Sequence, residues 1–162
     1  AAILGGWQAT GILTLRTGSP LTFTDGAGSV SVNASGNTQT PDLVAPINVL
    51  HGVNIGNPWF DRSSFAITTP GRFGSLGRAV WSGPGQFRLD AGISRWINLT
   101  ERWRMQLRAD SYNVTNTPFF SNPQTDRNNS NFAYVTGTVG SGSGVNGFAA
   151  ARSMQFAMKI QF

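Results

Sequence analysis

Apolar and polar side chains that alternate at every second position point to extended backbone. The alternation is clearest at 102–110. There Trp103, Met105, Leu107 and Ala109 stand on one side and Arg102, Arg104, Gln106, Arg108 and Asp110 on the other. That is the period of a strand whose two faces meet different surroundings. A helix over the same residues is excluded, because charges at 102, 104, 108 and 110 would encircle it. The last residues repeat the pattern, with Met154, Phe156, Met158, Ile160 and Phe162 set against Ser153, Gln155, Ala157, Lys159 and Gln161. Five large apolar groups on a terminal strand need a cover, which can be protein or lipid.

Two further segments alternate less perfectly. In the first, Trp7, Ala9, Leu13 and Leu15 oppose Gln8, Thr10, Thr14 and Arg16, and Ile12 interrupts the polar side. In the second, Phe87, Leu89, Ala91, Ile93 and Ile97 oppose Arg88, Asp90, Ser94 and Asn98, with Arg95 and Trp96 reversed. Strands are therefore expected near 7–17, 86–98, 102–114 and 152–162. The connections are long at 18–85, short at "NLTER" and long again at 115–151. Loops of such length are uncommon in a compact soluble domain. They suit an outer-membrane barrel, which has short periplasmic turns and long extracellular loops. A C-terminus in the periplasm puts the short turn on the periplasmic side and both long loops outside.

Composition fits that reading. Only 12% of residues are charged, about half the roughly 25% usual for soluble domains. No apolar run reaches the ~18 residues of a membrane helix. A membrane strand needs only ~9–11 residues, half of them apolar. The net charge of +5 comes from eleven Arg and one Lys scattered singly. Nucleic-acid binding is thereby excluded as a class, since it calls for a concentrated basic patch. Cysteine is absent, so no disulfide framework is expected.

Two architectures share this periodicity. In a soluble sandwich the apolar faces would pack on each other. In an antiparallel transmembrane β-barrel they would face lipid. The barrel is favoured by Arg88, Asp90, Arg104, Gln106, Arg108 and Asp110, a polar set suited to a wet lumen. Trp7, Trp96 and Trp103 near strand ends on the periplasmic side suit an aromatic girdle. Phe156, Met158, Ile160 and Phe162 look like the C-terminal signal by which such barrels are recognised for insertion. Four strands cannot close a barrel whose smallest single-chain forms have ~8. The expectation is therefore an all-β segment, either the last part of a larger barrel or one protomer of an oligomeric one.

No catalytic constellation stands out. His51 is the single histidine and cysteine is absent, so no metal site and no cofactor are expected. Asp90 and Asp110 lie beside arginines, where a salt-bridge ladder is a plainer role than paired acid catalysis. The Gly-rich "GSGSGVNG" at 140–147 lacks the Lys of a phosphate loop and reads as a flexible connection. "NPWF" and "NTPFF" place Trp59, Phe60, Phe119 and Phe120 in the long loops. There they could stack on a ligand or pack the loops on each other.

The stretches "FGSLGR", "GPG", "LDAGISRW", "LTERWRMQLRADSYNVTNTPFF" and "MQFAMKIQF", with "GWQATGILTLRTGSPLTF" upstream, resemble the C-terminal barrel of TonB-dependent outer-membrane receptors. The resemblance is strongest to the Oar-like subgroup that carries a carboxypeptidase-regulatory-like domain. It implies a barrel of ~22 strands around a plug, built by the barrel-assembly machinery. Such a barrel moves a bulky nutrient, such as a siderophore or a carbohydrate, with energy delivered through TonB. Plug and TonB box precede the barrel in that family, so energised transport would belong to the full-length protein. The competing expectation is a secreted all-β module that self-assembles or binds carbohydrate through its loops. A need for detergent separates the two.

Overall fold

The computed structural model describes residues 5–26, 39–69, 71–139 and 151–162. They fall into two compact units, the first made of 5–16, 86–119, 139 and 151–162 and the second of 17–26, 39–69, 71–85 and 120–138. The Gly-rich run at 140–147 lies outside the described residues.

The first unit is one antiparallel sheet of four long strands. Strands β1 (Trp7–Arg16), β6 (Gln86–Asn98), β7 (Arg104–Tyr112) and β8 (Ser153–Gln161) pair in the order β1-β6-β7-β8. The long alternating segments form these strands because each extended run sets one chemistry on each face. The register preserves that segregation. Ala9 pairs with Ile93, Ile93 with Ala109 and Ala109 with Phe156, while Gln8 pairs with Ser94 and Ser94 with Arg108. A slip of one residue would mix the faces.

Between β6 and β7 the chain turns tightly. The N–H groups of Leu99 and Thr100 donate to the Trp103 carbonyl at 2.9 and 3.2 Å. The Thr100 hydroxyl accepts from the Trp103 N–H at 3.1 Å. After β7, Asn113 and Asn116 both take positive φ, near 52°. Asparagine tolerates that conformation better than other residues with a Cβ. The Asn113 side chain holds the exit in place, donating to the Thr117 carbonyl at 2.9 Å and accepting from its N–H at 3.1 Å.

The second unit contains the short strands β2 (Pro20–Leu21), β3 (Asp42–Leu43), β4 (Phe65–Ala66) and β5 (Trp81–Ser82), with β2 paired to β5 and β3 to β4. A 3-10 turn at Arg62–Ser64 leads into β4. Its interior is aromatic. Phe23 meets Phe60 edge-on at 5.1 Å between ring centroids, and Phe65 meets Phe132 likewise at 5.2 Å. All four rings are essentially inaccessible to solvent, with Leu21, Leu76 and Val135 packed around them. Phe132 comes from the β7–β8 connection and the other three from the β1–β6 connection, so the two long connections share one core.

Polar groups tie the same pieces together. The fully buried Asp25 accepts from the Thr68 N–H at 2.8 Å and the Asn128 amide at 3.0 Å. Asp42 accepts from the Ser75 N–H at 3.0 Å and forms a two-pronged ion pair with Arg72. The Trp59 N–H donates to the Ala133 carbonyl at 2.8 Å. From the sequence, long loops are expected at 18–85 and 115–151. Much of both packs as one unit, because scattered aromatics at Phe23, Phe60, Phe65 and Phe132 bury each other across a large sequence separation.

Candidate functional site: a sheet with one apolar and one charged face

Burial on the four-stranded sheet runs opposite to that of a soluble protein. Phe156 is 78% exposed, Met158 65% and Leu15 67%. On β6 the polar positions Arg88, Asp90 and Ser94 are more covered than their apolar neighbours Phe87, Ala91 and Ile93. None of the buried apolar residues lies in the four strands. A sandwich would have to hide these side chains, and the described residues do not hide them.

The pairing assembles the apolar side chains into a continuous band. One row runs Ala9, Ile93, Ala109, Phe156; the next runs Trp7, Arg95, Leu107, Met158; and the one after joins Ile97, Met105 and Ile160. At the end that carries the 99–103 turn, Trp103 stacks on Phe162 with centroids 5.4 Å apart. Trp7 begins β1 opposite Arg95, whose guanidinium lies over the indole at 5.3 Å. The reversal seen at Arg95 and Trp96 is thus real. Arg95 sits on the apolar side, beside an aromatic at the strand end, where an amphipathic cation keeps its stem apolar. Trp96 stands across from Gln106 on the polar side. It therefore does not join Trp7 and Trp103 in an outer girdle, because its parity in β6 matches that of Arg88 and Asp90.

The opposite face gathers the predicted polar set. Arg88, Asp90, Arg104, Gln106, Arg108 and Asp110 all project from it. The ion pairs run within strands, not as a ladder across them. The Arg88 Nε donates to both oxygens of Asp90 at 2.7 and 2.8 Å, and the Arg108 Nε donates to Asp110 at 2.7 Å. Residues two apart on one strand share a face, and the cross-strand register sets Arg108 against Ser94 and Ala157 instead. Asp90 also accepts from the Asn113 N–H at 2.8 Å, tying β6 to the end of β7. Gly92 makes room for this chemistry. A Cβ there would come within 2.5 Å of Asp110 Oδ1 and 2.8 Å of Thr10 Oγ1. The result is a hollow of about 220 Å³ whose lining includes Thr10, Ile12, Asp90, Arg108, Asp110 and Tyr112.

The four loop aromatics behave otherwise than as exposed contacts. Phe60 is wholly buried, Trp59 and Phe119 nearly so, and Phe120 packs half-buried against the aromatic core of the second unit. Of the two roles open to these rings, the burial of Phe60, Phe119 and Phe120 is that of packing residues. The large apolar rings left by a charge-poor loop sequence gain more from each other than from solvent. Trp59 lines a groove on the second unit. Trp81, which the sequence did not single out, stands exposed in the same groove, and no periodicity signals it. Among the described residues no cluster of three or more His, Asp or Glu is placed to hold a metal ion.

A family model for an outer membrane beta barrel domain matches residues 1–155. The chain belongs to this family. No curated protein and no solved structure matches it. Its four-stranded sheet is part of such a barrel, and its location is the bacterial outer membrane. In that setting the apolar band from Leu15 to Ile160 is the face suited to lipid. The aromatic end at Trp7, Trp103 and Phe162 is the kind of border found where hydrocarbon meets headgroups. No helix among the described residues is long and apolar enough to cross a membrane. A secreted soluble module is not the setting of this barrel.

Proposed function

We propose that the chain is the C-terminal part of the barrel of a TonB-dependent outer-membrane transporter for a bulky nutrient, such as a siderophore or a carbohydrate. The observation that supports this reading is the charged face. Arg88, Asp90, Arg104, Gln106, Arg108 and Asp110 bring both signs of charge to one side of the sheet, opposite the lipid-suited band. Charges of that density belong against water and not hydrocarbon, so this side lines the lumen. The sequence resemblance to TonB-dependent receptors adds the plug and the energy coupling, both supplied by the rest of the full-length protein.

Phe156, Met158, Ile160 and Phe162 then act as the insertion signal read by the barrel-assembly machinery. This reading is supported by Phe156, Met158 and Ile160 sharing one face of β8, the last strand in the sheet order, with Phe162 following them against Trp103. The chain takes no part in covalent chemistry, and its role is to form a wall.

The test uses the full-length protein in detergent and in planar bilayers. A TonB-dependent transporter cross-links to the periplasmic domain of TonB and conducts almost no current while its plug is in place. Steady passive conductance with no TonB cross-link would make it an open porin and overturn the proposal.

A further inference from the structure

The second unit carries a groove of about 590 Å³ that the wall function does not use. One side is the turn bearing Val49, His51 and Trp59, and the other is the run Val80, Trp81, Ser82. The turn is forced into shape by close backbone contact. A Cβ on Gly52 would fall 2.1 Å from the Asn57 carbonyl oxygen, so only glycine fits there. The Trp59 carbonyl accepts from the N–H groups of Leu50 and His51 at 2.7 and 3.0 Å. The His51 ring meets Trp59 edge-on at 4.9 Å.

Backbone strain concentrates around this groove. Apart from two asparagines, the described residues with a Cβ and positive φ are His51 at 57°, Ala79 at 53° and Ala133 at 69°. His51 and Ala79 line the groove, and the Ala133 carbonyl holds the Trp59 N–H. Such conformations persist where surrounding structure over-determines them, and they gather at ligand sites. The buried Trp59 indole N–H has no hydrogen-bond partner.

The lining selects a ligand class. Its lining holds no Asp, Glu, Lys or Arg. An anion would find no counter-charge and a cation no carboxylate. A wholly apolar guest would strip water from the Ser82 hydroxyl, the imidazole and the glycine backbone without replacing its hydrogen bonds. A sugar ring has an apolar face for an indole and hydroxyls for polar neighbours. We propose that this groove binds a neutral saccharide, stacked on Trp81 and hydrogen-bonded by His51 and Ser82. This deepens the transporter reading by naming a substrate class, and it rests on that reading for its place in uptake.

The experiment is calorimetric titration of the full-length protein in micelles with cellohexaose, xylohexaose and maltohexaose, and with ferrichrome as the non-saccharide probe. At least one oligosaccharide is expected to bind saturably. Trp81→Ala should weaken it by about tenfold, the scale of one lost stacking contact. Trp81→Phe should retain part of the affinity, which guards against a variant that fails to fold. Ile67→Ala, on the same unit but away from the groove, should change nothing. The proposal is overturned if no oligosaccharide binds, if binding ignores Trp81→Ala, or if ferrichrome alone binds in a Trp81-dependent way. TonB cross-linking in the same preparation keeps the two readings apart. Cross-linking without sugar binding sinks the groove alone, and sugar binding without cross-linking sinks the transporter alone.

Discussion

At the scale of single residues, carboxylates hold the second unit together. Asp25 is fully buried and accepts from Thr68 and Asn128, which lie in different connections. Asp25→Ala would leave a backbone N–H and an amide without their acceptor. Hydrogen bonds to a charged group contribute about 1.5–3 kcal/mol each. The variant should lower the stability of this unit by about 3 kcal/mol while the strands stay folded in micelles, as pulse proteolysis of the second unit would show. Asp61 acts on a smaller scale. The Ser63 N–H, and after it the Ser63 hydroxyl, donate to its carboxylate at 2.9 and 2.8 Å and hold its pKa below the ordinary range. A depressed folded pKa stabilises above the unfolded value of about 3.9 and is lost as pH falls through the folded one. Hydrogen exchange at the Ser63 amide should therefore quicken in acid beyond its intrinsic trend, and Asp61→Asn should abolish that extra change.

At the scale of the element, a strand in this sheet is defined by parity. Leu107 and Gln106 are neighbours in β7, yet Leu107 joins Arg95 and Met158 on the apolar side and Gln106 joins Trp96 and Lys159 on the other. Ile93→Arg, on the same face but one row further from the Trp7 border, should destabilise the folded barrel by about 2–4 kcal/mol, the penalty for arginine on the lipid face toward mid-bilayer. Gln106→Arg should stay within about 0.5 kcal/mol. Urea titration of the vesicle-embedded protein measures both, and equal effects would contradict the assignment of faces. Parity was legible in the sequence, including the Arg95–Trp96 reversal, because alternation is a local property of extended backbone. The ion-pair pattern was not. Arg88 and Arg108 reach along their own strands to Asp90 and Asp110, and only the register shows that no carboxylate stands directly across from Arg108.

At the scale of the whole molecule, the sheet formed by the described residues ends in two open edges, β1 and β8. Unpaired backbone in hydrocarbon costs several kcal/mol per group, so further strands must close the barrel. The 162-residue chain alone should gain β-structure in detergent micelles and stay aggregated in plain buffer, by circular dichroism and light-scattering mass. A folded, cooperative species in buffer would contradict a lipid-suited face. The four strands and the parity of their faces were legible in the order of amino acids, because an extended run with two different surroundings must repeat an apolar residue at every second position. Alternation alone is shared by a sandwich and a barrel, and the family match carries the barrel class. Tertiary structure alone decided the fate of the connections. Phe23, Phe60, Phe65 and Phe132 share one core, and Asp25 meets Asn128 across 103 positions. Such contacts leave no period in the chain, since they depend on which distant side chains the fold brings within reach.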